Sequence, residues 1–312
     1  MKYMESMYNS IHSKFIKTPI FYILKDGVNA CLPVGCNMET YPLCDYVVQS
    51  LFLKMTGAQE QKLKCICWDM ATNNYEYRRV YLDKVKTDYG EFSSYNQKNN
   101  VYKQLINEIN RYDKDFRIET IKWLKNIDSE KENELFAQEI RMMVAMIIKE
   151  QSKNGRPNEK IKNQIEINIE NKFRKKKNII VAEAIKKKFL TKIKDRMIAL
   201  MESSILSIGD RSNYLFWKTN IINAKDCASE DNLLAGDLKT RYENDLIRHR
   251  HRCAHNLTSY QQNLPTLSAL AENEHRYHNY FFRFTTLILI DEIFMLLYNE
   301  YIKQIECNIS HI

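Results

Sequence analysis

Glycine and proline are both scarce in this chain of 312 residues, at seven and five respectively. None of either falls between Gly90 and Gly155. A sheet-rich protein of this size needs many turns, and turns draw on those two residues. Their scarcity argues for long helices and an all-α fold. Cysteine pairing is missing too: the eight cysteines include no C-x-x-C pair, and Cys65 and Cys67 have no matching pair downstream. That excludes a zinc ribbon or knuckle. The opening MKYMESMYNS lacks the apolar run of a secretory leader, so the cysteines read as reduced thiols and the expected location is cytoplasmic. Long apolar runs are absent as well. The most apolar stretch, Thr285–Tyr298, is interrupted by Asp291 and Glu292 and is too short and too charged to span a bilayer; no membrane partner is expected.

What is present is an ordinary globular composition, 44% hydrophobic and 28% charged, long enough to bury a core without staples. The formal net charge is +8, which permits an anionic partner without requiring one. Its distribution is more informative. Between Gln151 and Leu200 there are 15 Lys/Arg against 5 Asp/Glu, a balance of +10, so the remainder is slightly acidic.

Three of the five prolines lie near the N-terminus, and two apolar runs flank Asp26-Gly27. That pattern predicts a small β-hairpin at about 20–32. From Tyr41 the spacing turns helical. Val47, Val48, Leu51, Phe52 and Met55 form one stripe, continued by Leu63, Ile66, Cys67, Met70 and Ala71. Val101, Leu105 and Ile109, then Ile118, Ile121 and Leu124, predict one or two further helices. Acidic residues after Asp128 suit the start of another. Gly155-Arg-Pro157 is the best break, dividing the chain into a mostly helical region 1–155 and a helical domain 156–312.

The second region opens with the basic segment. Ile179, Ile180, Ala182, Ile185, Phe189, Ile193 and Met197 give it a helical stripe, with lysines opposite. One reading is a solvated face; the other is a surface that tracks phosphates through Lys175, Lys176 and Lys177. No aromatics interleave with the lysines, so base stacking is not indicated. Asp237 is placed to cap a helix from Leu238, with the stripe Leu238, Tyr242, Leu246 and Ala254. A long apolar helix closes the chain.

Five of the seven histidines lie between His249 and His278, centred on RHRHRCAHN at 248–256. Arg250 stands four residues after Leu246 and four before Ala254. It therefore falls on the apolar stripe, where a cation needs an anion or an interface. His251 and His255 are four apart. As a metal pair they lack a third ligand: H-E-x-x-H is absent, and Glu243 and Asp245 are two turns away. His275 and His278 read as ordinary polar positions. No metal and no cofactor are expected.

Arg250-His251-x-x-x-His255 resembles the R-x4-6-H motif of HEPN domains, in which a polar residue commonly follows the arginine, as His251 does here. The Ala254-His255-Asn256 exit, the stretch Leu257–Leu270 and the closing helix His275–Glu306 are similar to that family's layout, so the resemblance spans roughly 180–306. Arg248 gives a second match to the same His255. The resemblance implies an α-helical bundle that dimerises, and many such domains are endoribonucleases of toxin, antiphage and CRISPR-type systems. It implies Arg250 and His255 as catalytic residues with His251 orienting, and RNA as the partner of the site, with Arg248 among the RNA contacts. It also implies a composite cleft in a homodimer and leaves room for a neutralising antitoxin or other partner protein. The alternative is a non-catalytic HEPN-like binding or antitoxin module. The residue types fit RNA cleavage without metal. A histidine can move protons near neutral pH, and a guanidinium can hold two phosphate oxygens while charge develops on phosphorus.

Overall fold

The computed structural model describes residues 11–33, 41–88, 92–121, 123, 127–151, 159–202, 226–255 and 280–309. Among the described residues the chain is all-α; the one β feature is an isolated antiparallel bridge between Cys227 and Leu234. No described helix is long and apolar enough to cross a membrane. Two compact units are formed. The first joins Met1–Ile118 with Lys192–Ile312, and the second is Glu119–Thr191. The expected break at Gly155-Arg-Pro157 lies outside the described residues.

The first unit contains α1 (Ile11–Lys17), α2 (Phe21–Cys31), α3 (Tyr41–Asn73), α4 (Tyr75–Asp88) and α5 (Tyr95–Tyr112). Helix α3 carries the stripe read from the sequence: Val48, Leu51, Phe52, Met55, Leu63, Ile66, Cys67, Met70 and Ala71 are all buried. It ends where Asn74 starts α4, its Oδ1 accepting the Glu76 and Tyr77 N–H groups at 3.0 and 3.2 Å. Such a side-chain acceptor satisfies amides that a new helix leaves without partners. Helix α5 begins with a capping box between Ser94 and Gln97.

The hairpin expected near 20–32 is not formed: Phe21–Cys31 is helical. Asp26-Gly27 is no turn, because Gly27 serves a close approach instead. A Cβ there would lie 2.4 Å from Cδ2 of Leu51 and 2.5 Å from its Cδ1. The missing side chain lets α2 seat against α3, with Leu24, Val28 and Cys31 buried.

The closing helix α11 (Tyr280–Ile309) is the centre of this unit, packing on α1, α3 and α5. Every residue from Phe281 to Asp291 is buried, so it is enclosed on all sides along that stretch. Each fully buried Phe, Leu or Ile contributes about 1.5–3 kcal/mol relative to exposure. Asp291 is not an intruder here. Lys62 of α3 lies 2.6 Å from its Oδ1, and the Ile20 N–H donates to its Oδ2 at 2.9 Å. One buried carboxylate thus ties α3, α11 and the start of α2.

The second unit contains α6 (Ser129–Gln151), α7 (Glu159–Phe173), a 3-10 turn (Arg174–Lys176) and the first part of α8 (Lys177–Glu202). Its core is Leu135, Phe136, Ile140, Val144, Ile169, Val181, Ala182, Ile185 and Phe189, with Trp123 packed 5.3 Å from Phe189. Ile179, placed on the buried stripe from its spacing, is instead 54% exposed.

Candidate functional site

The motif helix is built in three parts: α9 (Gly236–Arg241), a π-helical turn (Tyr242–Ile247) and α10 (Arg248–His255). Helix α5 holds the segment that leads into it. The Tyr95 hydroxyl donates to the Leu234 carbonyl, Asn99 Oδ1 accepts the Leu233 N–H at 2.8 Å, and Tyr102 donates to the Ser229 carbonyl. Gly236 adopts φ +53°, a left-handed conformation that glycine allows at little cost, with Asp226 Oδ1 close by. The helix therefore starts one residue before Asp237. Ala235 stands at its N-cap without a side-chain bond, and Asp237 pairs with Arg241 at 3.4 Å instead of capping.

The π turn matters for register. Such wide turns are uncommon and often mark functional positions. Tyr242, Asp245 and Leu246 are buried within it. When α-helical geometry resumes, the next inward position after Leu246 is three residues on, at His249, which is 5% exposed. The stripe therefore runs Leu238, Tyr242, Leu246, His249. Ala254, expected to continue it, is exposed.

Arg250 stands at the edge of that stripe, not in its middle. Its side chain is 26% exposed, and Nη2 lies 3.5 Å from Glu60 Oε1 on α3. The anion it requires thus comes from its own chain, and a partner subunit is not needed to neutralise it. Arg248 and His251 are exposed. His255 is the last residue of α10, and its side chain lies outside the described residues. So do Asn256 and the stretch 257–279, with His275 and His278.

Lys98, fully buried on α5, lies within electrostatic reach of Arg250 and Glu60. Burial pushes its ammonium down to about 7; Glu60 opposes that shift, and the Arg250 charge adds to it. The same Glu60 and Arg250 act on Tyr242, whose hydroxyl burial raises well above its ordinary range. Three helices distant in sequence therefore bring one carboxylate and two cations together. His249 forms a second layer. Its Nε2 lies 2.9 Å from the Tyr280 hydroxyl and 3.3 Å from Cys253 Sγ, and its ring packs against Phe52 and Tyr280. Wedged between α3 and α11, His249 fixes the face that α10 presents.

Glu60, Lys98 and His249 were not singled out from the sequence. Lys98 was detectable: it occupies an inward slot between Tyr95 and Val101–Tyr102, all buried on α5. Glu60 carried no such mark.

Lys175 and Lys176 are exposed. Lys177 is half-buried, bonded to Asn133 Oδ1 and 5.8 Å above the Phe136 ring, so it is partly spent within its own unit. Among the described residues no group of three or more His, Cys, Asp and Glu side chains is arranged to hold a metal. Comparison of the chain with protein families, curated proteins and solved structures finds no match.

Proposed function

We propose that the chain is a metal-independent endoribonuclease of the HEPN type, acting in the cytoplasm as a toxin or antiphage effector. The observation that carries the reading is Arg250: a quarter-exposed guanidinium held, among the described residues, by one long contact, on a helix that also bears exposed Arg248 and His251 and ends on His255. A cation so held keeps hydrogen-bond donors free for a phosphodiester. In the proposed reaction a histidine takes the proton of the ribose 2′-OH. O2′ then bonds to the adjacent phosphorus, the P–O5′ bond breaks, and a second acid protonates O5′. The products are a 2′,3′-cyclic phosphate and a 5′-hydroxyl. Arg250 stabilises the charge on the non-bridging oxygens, His255 is the proton carrier, and His251 orients. A homodimer, with the second subunit's histidine as the other proton carrier, completes the proposal.

One observation favours a second reading. The Glu60–Arg250 contact joins α3 to α10, so Arg250 could act as a strut in a non-catalytic binding module. Bulk RNA cleavage by wild type, Arg250→Ala and His255→Ala, each with its thermal melt, separates the two. Cleavage lost at unchanged stability supports the nuclease. No cleavage by the wild type, with Arg250→Ala melting early, supports the strut.

A further inference from the structure

We propose that Glu60, Lys98 and Arg250 form a phosphate-exchange site, in which an incoming phosphodiester oxyanion replaces the Glu60 carboxylate on the guanidinium and Lys98 retains the displaced carboxylate. The inference rests on the reading that Arg250 meets RNA phosphate, and it adds how that phosphate gains access.

Three features carry it. First, the Arg250–Glu60 contact is long, 3.5 Å through one nitrogen, in contrast to the 2.6 Å Lys62–Asp291 pair in the same unit. A weakly engaged guanidinium is the easier one to take over. Second, among the described residues the cluster has one carboxylate for two cations. Glu60 on α3 sits within electrostatic reach of both Arg250 and Lys98, so losing one leaves it the other. Third, exposure divides the roles. Arg250 and Glu60 are 26% and 17% exposed at their side chains, whereas Lys98 is fully buried. A phosphate can reach the arginine and cannot reach the lysine. Lys98 is therefore a positioning residue: an internal ammonium that burial holds down to about 7 and Glu60 favours, whose protonated form makes withdrawal of Glu60 tolerable. Without it, the displaced carboxylate would be left in a poorly solvated place, which costs far more than the contact it gave up.

The energetic sign follows from charge alone. Glu60 is an internal competitor for the anion, so neutralising it strengthens binding. Lys98 lowers the cost of displacement, so neutralising it weakens binding.

The test uses the full chain and a 2′-O-methyl RNA oligonucleotide, which keeps the phosphates but cannot be cut through its 2′ position. Affinity is read by fluorescence anisotropy at fixed salt. Glu60→Gln should bind about 10-fold tighter than wild type, corresponding to the removal of one competing charge contact. Lys98→Met should bind several-fold more weakly, and Arg250→Ala should lose the effect of either change. The double variant Glu60→Gln/Lys98→Met removes both charges. It should bind more tightly than Lys98→Met alone, and it carries the test if Glu60→Gln does not fold. Equal or weaker binding by both Glu60→Gln and the double variant overturns the exchange, as does wild-type affinity in Lys98→Met. Cleavage is scored separately on unmodified RNA. The expected binding pattern without any cleavage supports the exchange site and removes the nuclease reading; cleavage with no response to Glu60 or Lys98 does the reverse.

Discussion

Replacing Lys62 by Met should destabilise the first unit by about 3–5 kcal/mol, the cost of leaving a buried charge without its partner. The site justifies the upper part of that range. Lys62 and Asp291 side chains are 4% and 2% exposed and lie 2.6 Å apart. Once the ammonium is gone, the Ile20 N–H is the one donor left to Asp291 among the described residues. Burial already wins over Lys62 in the intact protein, raising Asp291 to about 6 from an ordinary 3.8. Because that value is raised, the folded state binds more protons than the unfolded one between about pH 4 and 6, and stability contributed by this group falls as pH rises through that window. Lys62 is lowered, chiefly by burial, so its own contribution runs oppositely at higher pH. In Lys62→Met the carboxyl rises further and escapes by protonation. The loss should therefore be smaller at pH 5 than at pH 8. Asp291→Asn alone should cost a similar amount by stranding Lys62. The double variant Lys62→Met/Asp291→Asn keeps an acceptor for Ile20 and should return to within about 1 kcal/mol of wild type. Native-state amide exchange in the middle of α11 reports opening of this unit. A double variant as unstable as the two single losses added together would refute the reasoning, because it would mean that the groups act independently.

Gly27→Ala should cost about 1–3 kcal/mol in thermal melting by forcing a methyl onto Leu51, and Leu51→Ala should cost less in that background than in the wild type. Arg250→Ala and His255→Ala should each lower RNA cleavage by on the order of 10² or more, with His251→Ala milder; activity should survive chelator and fail on RNA with a 2′-deoxyribose at the cut. Normal cleavage by either of the first two variants removes the site. Changing Lys175, Lys176 and Lys177 to Gln should weaken RNA binding and flatten its salt dependence, most of it from the two exposed lysines; an unchanged slope makes them a solvated face. Sedimentation at micromolar concentration should give a dimer, and a strict monomer that still cuts RNA would remove the composite cleft.

The helices were legible where periodicity and composition agree. The long α3 stripe follows from its spacing almost residue by residue, and the scarcity of glycine and proline anticipates the class. Asp-Gly between two apolar runs reads as a hairpin by local chemistry. Only the tertiary approach of Leu51 reveals that Gly27 makes room for a neighbour. The motif helix shows a different limit. A four-residue step from Leu246 leads to Arg250 and Ala254, but an α-helix advances 3.6 residues per turn, and beyond the π turn the inward place belongs to His249. Arg250 is thereby moved from the middle of a buried face to its edge. That displacement has a chemical consequence. In the middle, the guanidinium would be sealed and could only serve the fold. On the edge it meets Glu60 and keeps part of its surface toward solvent. The marks of this arrangement were charged residues in slots where spacing calls for apolar ones: Lys62, Lys98 and Asp291. Burying a charge is expensive enough that each must be answered by a partner elsewhere in the chain. Lys62 and Asp291 answer each other directly, 2.6 Å apart. Among the described residues Lys98 shares with Arg250 the one carboxylate of Glu60, and the proposed exchange with an anion depends on that uneven balance.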